Sequence, residues 1–270
     1  MRNPGSINPR NLPYLLPVCL TVLIVGLVLV APLFFSYEYY QQDLSICDQP
    51  PSGEHPMGTD SLGRDLLARV GYGLRISLSL GVITALGVVL IGVPYGMLSG
   101  MLGGWVDEIA MRLIDAINTV PTALYIILLV AVRPGLESLI AALVLTSWMP
   151  LARVVRGQAL KLKEERFVEA ARILGASQWR IAARHILPHT LGTTAAMAAI
   201  AIPEAIFTEA WLSFLGLGVQ APAASLGTLV SDGFGALRTS PWQLLFPSLV
   251  LFLVIYGFNT LSGVIEPEKG

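Results

Sequence analysis

EAARILGASQWRIAARHILP, residues Glu169 to Pro188, is a charged amphipathic island in a sequence that is otherwise mostly hydrocarbon. A helix over Glu164–Leu174 puts Phe167, Ala170, Ala171 and Leu174 on one side. Arg166, Glu169 and Arg172, spaced by three, can pair along the other side. Gly175 can end that helix in the left-handed conformation that a residue with a Cβ resists. Ser177 can cap a second helix, which Pro188 is expected to close. The small Ala170–Ala171 pair lets another protein come close. The alternative is a helix lying on the lipid surface, where burial would favour bulkier side chains than alanine.

The surroundings of this island point to a membrane. The chain has 270 residues, 54% hydrophobic and 13% charged, against about 25% charged in a soluble domain. It lacks the polar groups to coat a water-facing globule. A net charge of −1 gives no electrostatic footprint for a nucleic acid. Six apolar runs reach or approach the roughly 20 residues needed to cross about 30 Å of hydrocarbon. They are Tyr14–Phe35, Ile76–Leu102, Leu113–Val132, Leu136–Leu151 (extendable to Val155), Thr190–Leu212 and Leu244–Leu261. The first is too long for a secretory h-region of about 7–15 residues and has no clear small-x-small cleavage site, so it reads as a retained helix.

Lys and Arg set the orientation. With six spans and the N-terminus in the cytoplasm, the inner side carries Arg2, Arg10, Arg112, Lys269 and every Lys and Arg from Arg153 to Arg184. The outer side carries only Arg64, Arg69, Arg75, Arg133 and Arg238. The asymmetry places both termini and Glu169–Pro188 in the cytoplasm. The expected fold class is therefore an all-α polytopic membrane protein of six transmembrane helices. Residues 1–75 hold the N-terminal tail, first helix and outer segment. Residues 76–270 form a five-helix core with a cytoplasmic loop at 158–188.

Several features within the runs carry more specific expectations. Gly92, Gly96, Gly100 and Gly104 recur every four residues, a ridge along one helix face that lets another backbone approach. The seam lies within this subunit or with a partner, set against the ordinary glycine excess of membrane helices. Asp107, Glu108, Arg112 and Asp115 open the third span, with Arg112 and Asp115 able to share a face. Asn118 and Pro121 predict a kink there, lining a polar route or lying at the interface. Glu204 and Glu209 interrupt the apolar fifth span, Pro203 beside the first. A carboxylate at depth usually faces a bundle interior or wet cavity. Five residues turn about 140° around a helix, so the two do not share a face and at most one points straight at a given route. Otherwise Glu209 lies near the outer interface. His185 and His189 are four apart, but Pro188 intervenes and no Cys or carboxylate pattern accompanies them, so a solvated loop end is preferred to a metal site. Cys19 and Cys47 give neither a disulfide framework nor a zinc site. In the outer segment, Asp65–Tyr72 has the spacing of a short surface helix, capped by Asp60 or Ser61. Trp242 is an expected interfacial anchor.

Three of these stretches resemble one family. E-A-A, three residues, Gly, then Leu-Pro is similar to the cytoplasmic "EAA" loop of ABC importer membrane subunits, departing at His185, where Ile is usual. GTDSLGRD (Gly58–Asp65) resembles the stretch before the second span in peptide- and nickel-type permeases. LSFLGLGVQAP (Leu212–Pro222) resembles their signature after the fifth. In this order the motifs cover the chain from about Gly58 to Pro267.

The resemblance implies a type I ABC importer permease of the oligopeptide/dipeptide/nickel class in a prokaryotic inner membrane. It would form half of a path for peptides, with nickel or a metal chelate as the alternative substrate. Its partners would be a homologous second permease, two cytoplasmic ATPases and an external solute-binding protein. Phe167, Glu169, Ala170, Ala171, Leu174 and Gly175 would dock into an ATPase groove, and Glu204 and Glu209 would serve the translocation path. No cofactor is expected in this chain, ATP and Mg being held by the ATPases. A reading of another class is a membrane scaffold with a surface amphipathic loop, distinguished by whether an ATPase co-purifies in a nucleotide-dependent manner. A membrane enzyme has no Ser/His/Asp or HExxH constellation to rest on. No G-x-x-x-x-G-K-[ST] loop is present to cradle phosphates. The purified chain, free of ATPase subunits, is therefore expected to hydrolyse no ATP; measurable turnover by the chain alone would overturn the permease assignment.

Overall fold

The computed structural model describes residues 12–30 and 37–265. Among these the chain is helical and holds no strand, only an isolated bridge between Thr59 and Asp65. The helices are α1 (Leu12–Val30), α2 (Leu66–Leu102), α3 (Gly104–Asn118), α4 (Thr122–Val132), α5 (Leu136–Ser147), α6 (Met149–Leu162), α7 (Arg166–Ile173), α8 (Gln178–Ile181), α9 (Leu187–Phe214), α10 (Leu226–Gly235) and α11 (Trp242–Ile265). Four stretches are long and apolar enough to cross a membrane: Leu66–Leu102, Leu136–Leu162, Gln178–Phe214 and Trp242–Gly263. The pair α3 and α4, bent by 73°, makes five if counted as one span. Within α1, Val18–Leu27 is a shorter apolar stretch. The end of the first expected span (31–35) and both chain termini lie outside the described residues.

Two local expectations are corrected here. The predicted surface helix over Asp65–Tyr72 is the first part of α2, a single helix of 37 residues, about 55 Å long at 1.5 Å per residue. Its start is set by Asp65, whose Oδ1 accepts from the Ala68 amide at 2.7 Å, and not by Asp60 or Ser61. The third span is broken rather than kinked. Pro121, which has no amide hydrogen to donate, stands as the extended residue before α4.

The chain divides into two compact units, to both of which α2 and α9 contribute. In the unit formed by 82–201, α2 packs on α6 through the glycine ridge. A Cβ on Gly92 would press on Leu151 and the Trp148 carbonyl, one on Gly96 would strike the Ala152 carbonyl, and one on Gly100 would strike Ala159 and the Arg156 carbonyl. Gly104 lies past the end of α2, with φ +55 and open space beside it, so three of the four glycines make the seam. Ala152 and Ala159 on the α6 side are fully buried. Small residues on both helices give the backbone proximity by which membrane helices gain contact energy without a hydrophobic drive.

Polar groups then tie α3 to this pair. Arg156 donates from Nε and Nη2 to the two oxygens of Asp107, at 2.5 Å each, and Ser99 Oγ donates to Asp107 as well. Tyr95 OH donates to Ala110 O at 2.8 Å. Lys163 Nζ donates to Met101 O at 2.9 Å, meeting an otherwise unsatisfied carbonyl in the last turn of α2. Arg112 pairs with Glu108 at 2.6 Å and Asp115 with Arg153 at 2.6 Å.

The other unit, 1–81 with 202–264, has its own core. Leu66, Val70, Leu74, Ile206, Leu226 and Val254 are among its buried members. The segment before α2 is organised by Asp60, which accepts from the Leu62 and Arg64 amides, from Arg64 Nε at 2.8 Å and from Arg69 Nη1 at 2.6 Å. His55 Nδ1 lies 2.8 Å from Asp65 Oδ2. Gln243 Nε2 donates to Asp48 Oδ1 at 2.6 Å and to Thr59 O at 3.1 Å. Neighbouring Trp242 is partly buried, its Nε1 3.4 Å from Thr59 O.

The seam is testable by adding one methyl. Gly96→Ala places a Cβ against backbone that cannot swing aside, and overpacking of this kind costs about 1–3 kcal/mol. Gly157→Ala on α6 meets nothing within 4 Å and gains up to about 1 kcal/mol of helix propensity. Thermal unfolding in detergent is expected to show a lowered midpoint for Gly96→Ala and an equal or raised one for Gly157→Ala. Equal midpoints for both variants would show that the ridge does not set the packing.

Candidate functional site

The segment quoted first is a helix, a sharp turn and a second helix standing on the 82–201 core. Val168 and Ala171 of α7 are buried with Ile181, Ala182 and Ile186. The end of α7 is a Schellman turn: Ala176 N donates to Ala171 O at 3.0 Å and Gly175 N to Arg172 O at 2.9 Å. Gly175 has φ +81 and open space where a Cβ would go, so its requirement for glycine is conformational and not steric. Ser177 caps α8, accepting from the Arg180 amide at 3.4 Å.

The buried and exposed faces differ from the sequence expectation. Ala171 faces inward, whereas Ala170 is exposed. Glu169 is exposed and its side chain makes no ion pair among the described residues, so the expected ladder with Arg166 and Arg172 is not formed. Leu174 is 88% exposed, Ile173 81% and Trp179 63%. Ile173 and Trp179 were absent from the sequence reading, although Ile173 lies three residues after Ala170 and so on its face. Phe167 stacks on His189, ring centroids 5.1 Å apart, and His189 Nδ1 lies 2.6 Å from His185 O. The two histidines thus belong to a helix-end contact. No group of three or more His, Cys, Asp or Glu gathers in metal-binding fashion among the described residues.

Pro188 does not close the second helix. After α8 the chain makes a π turn over Ala182–Ile186, with Leu187 N bonded to Ala182 O, and continues into α9. A proline ring clashes with the carbonyl four residues back and has no amide to give it. The wider π turn just before Pro188 shifts the bonding register to i−5, and the helix passes through.

The two glutamates of α9 part company. Glu204 is exposed, next to Pro203. Glu209 is fully buried. Its Oε1 accepts from Ser213 Oγ at 2.7 Å and Ser225 Oγ at 2.6 Å, while Oε2 makes no hydrogen bond among the described residues. Ser225 also caps α10, accepting from the Thr228 amide at 3.0 Å, and the Leu226 amide donates to Ser77 Oγ of α2 at 3.0 Å. Gly227 leaves room for Oε2 and Ala210. Glu209 therefore fastens the start of α10 to α9, where a carboxylate also meets the positive end of a helix dipole. Spacing along α9 carried no sign of this, because the partner serine is 16 residues away.

The family described as "Binding-protein-dependent transport system inner membrane component" matches residues 92–268. The oligopeptide transport system permease protein OppC of Bacillus subtilis (strain 168) is 44% identical over 252 residues, 92% of this chain and 83% of that protein. The dipeptide transport system permease protein DppC of the same organism is 42% identical over 242 residues, 89% of this chain and 76% of that protein. OppC of Escherichia coli (strain K12) is 44% identical over 244 residues, 89% and 81% of the two chains. Among solved structures, a chain of the MetNI methionine ABC transporter in inward-facing conformations superposes with TM-score 0.58 and 17% identity. The match covers 75% of this chain and 97% of that one, a likeness of fold.

Glu209→Ala is expected to leave the Ser213 and Ser225 hydroxyls without their acceptor, at about 1–3 kcal/mol, and to lower the thermal midpoint and membrane abundance of the chain. Glu204→Gln, at an exposed position, is expected to change neither. Differential unfolding in detergent and quantitative immunoblotting read this; equal losses in the two variants would remove the structural role given to Glu209.

Proposed function

The chain belongs to the binding-protein-dependent transport system inner membrane component family, and on that footing we propose that it is a permease subunit of an ATP-driven peptide importer. The names of its relatives, oligopeptide and dipeptide permeases, supply the substrate class. In this reading it is a multi-pass protein of a bacterial inner membrane with six spans and both ends in the cytoplasm. It works with a homologous permease, two ATPases that hold ATP and Mg, and an external binding protein. It breaks no bond itself.

The observation that carries the reading is the exposed apolar face at the α7–α8 turn. Ile173 and Leu174 stand out at the turn among Arg172, Gly175 and Ser177, and Trp179 is exposed on α8, where it also borders Val93, Met97 and Leu98 of α2. Large apolar groups clustered on a charged surface mark a protein contact. Glu169, exposed and unpaired beside them, is available to a cation of that partner. Of the six residues expected in the contact, Glu169, Ala170, Leu174 and Gly175 form this face, Phe167 borders it, and Ala171 acts from beneath. The partner is the ATPase.

A push on α7 enters the 82–201 core through Val168 and Ala171, which are packed with Ile181 and Ile186. That core contains the α2–α6 seam and the Asp107–Arg156 clamp, so it moves as a block and does not deform locally. Alternating access would follow from the movement of such blocks around a central route. Glu204, the exposed carboxylate of α9, is the candidate for that route. Glu209 acts on the route only through the placement of α10.

Three substitutions test the contact. Gly175→Val puts a β-branched residue at φ +81, at a cost of about 1–2 kcal/mol or more. Gly175→Asn, which tolerates that region, is expected to be far milder. Glu169→Lys leaves three cations in a row. Co-purification of the ATPase and substrate-stimulated hydrolysis in the reconstituted complex are expected to fall in Gly175→Val and Glu169→Lys, with the chain still inserted in the membrane. Normal assembly and coupled uptake in both would show that this turn is not the ATPase contact.

A further inference from the structure

In the unit formed by 1–81 and 202–264, a cavity of about 310 Å³ lies between the start of α2, the end of α9, the 216–223 segment and α10. Its size is at the low end of small-molecule sites. Arg64, Arg69, Asp232, Gln220, Ser231 and Thr228 are among its lining residues. In the orientation set by Lys and Arg, this end of α2 is external.

The cations of the wall are unevenly partnered. Two guanidiniums share one carboxylate oxygen, because Asp60 Oδ2 accepts from both Arg64 Nε and Arg69 Nη1. Asp60 Oδ1 is occupied by the Leu62 and Arg64 amides. Arg69 is 4% exposed, and its Nε makes no hydrogen bond among the described residues. Its Nη2 lies 3.7 Å from Asp232 Oδ2, too far for a hydrogen bond. The Asp232 side chain is 62% exposed, so it meets the buried guanidinium only loosely. A buried cation with an idle donor is costly unless a partner arrives. The guanidinium fork matches a carboxylate. Gln220 and Ser231 add neutral donors and acceptors that suit the amides behind such a carboxylate, while the Thr228 hydroxyl is held in the α10 capping box.

We propose that this cavity is a subsite for a carboxylate, supplied by the C-terminal end of a peptide entering the transporter, with Arg69 as the group that receives it. The proposal rests on the peptide-importer reading above. The incoming carboxylate displaces Asp232 from its loose approach to Arg69. Asp232 thereby acts as a weak stand-in that keeps the site from holding the peptide too tightly to release it.

The test is uptake by the complete reconstituted importer of one tripeptide as its free acid and as its C-terminal amide. The binding protein is the same in every arm, so its own preference for either form cancels between permease variants. Arg69→Lys keeps the charge beside Asp60 but loses the fork, and is expected to lower the acid-over-amide ratio of kcat/KM about tenfold. Asp232→Asn, at an exposed position, is expected to raise that ratio several-fold by lowering KM for the acid alone. Should Arg69→Lys fail to assemble, Asp232→Asn decides by itself. An unchanged ratio in assembled variants overturns the subsite while leaving the importer reading intact. A shift confined to the concentration of binding protein needed for half-maximal uptake assigns the carboxylate to that protein's surface, and overturns the peptide end as its source. Failure of the wild-type complex to import either peptide overturns the peptide reading, and this proposal with it.

Discussion

Between α2 and α6 the two backbones come so close that a single Cβ on Gly96 would strike the carbonyl of Ala152. Much of the 82–201 unit follows from that approach. It lets Arg156 on α6 reach the carboxylate of Asp107 on α3, and it brings Lys163 to the last turn of α2. Val168 and Ala171 of α7 belong to the same buried cluster as Met97, Met101, Leu151, Ala152 and Val155. The proposed ATPase contact is therefore seated on the same buried cluster as the α2–α6 seam. In a bilayer, where apolar side chains gain nothing by leaving lipid for protein, such backbone proximity and the polar clamps beside it are what favour one arrangement over others.

The acidic groups divide by how fully they are satisfied. Asp107 and Asp60 each face arginine in good geometry, and both oxygens of each accept hydrogen bonds. A partly buried ion pair repays its desolvation only under those conditions. Glu209 has one oxygen saturated by two serines and the other without a partner, a less complete arrangement that still fixes the start of α10. Glu204 is left exposed on an apolar helix, where a carboxylate is expensive unless something polar lies in front of it. On the cationic side Arg69 is buried and its Nε makes no hydrogen bond among the described residues.

Backbone irregularities sit where the chain must change task. The π turn of Ala182–Ile186 lets Pro188 remain inside a continuous helix. The positive φ of Gly175 turns the chain at the exposed contact. Pro121 separates the amphipathic α3 from the apolar α4. Each device alters the direction or register of the chain at one defined place.

Periodicity and composition were enough to establish a helical membrane protein, the amphipathic character of 164–188, the cap at Ser177 and the turn at Gly175. Those properties depend on residues within one or two helical turns of each other. The glycine spacing identified a seam but not its partner, since the facing residues Leu151, Ala152 and Ala159 lie on a helix far along the chain. Single-segment reasoning failed wherever the deciding contact was distant or geometric. It put Ala171 on the contact face beside Ala170 and closed a helix at Pro188. Nothing near Glu209 in the chain announces Ser225, and nothing near Arg69 announces Asp232. Only the folded chain brings these groups together, because tertiary packing sets which carboxylates meet donors and which stay free, while local pattern sets only which face of a helix they occupy.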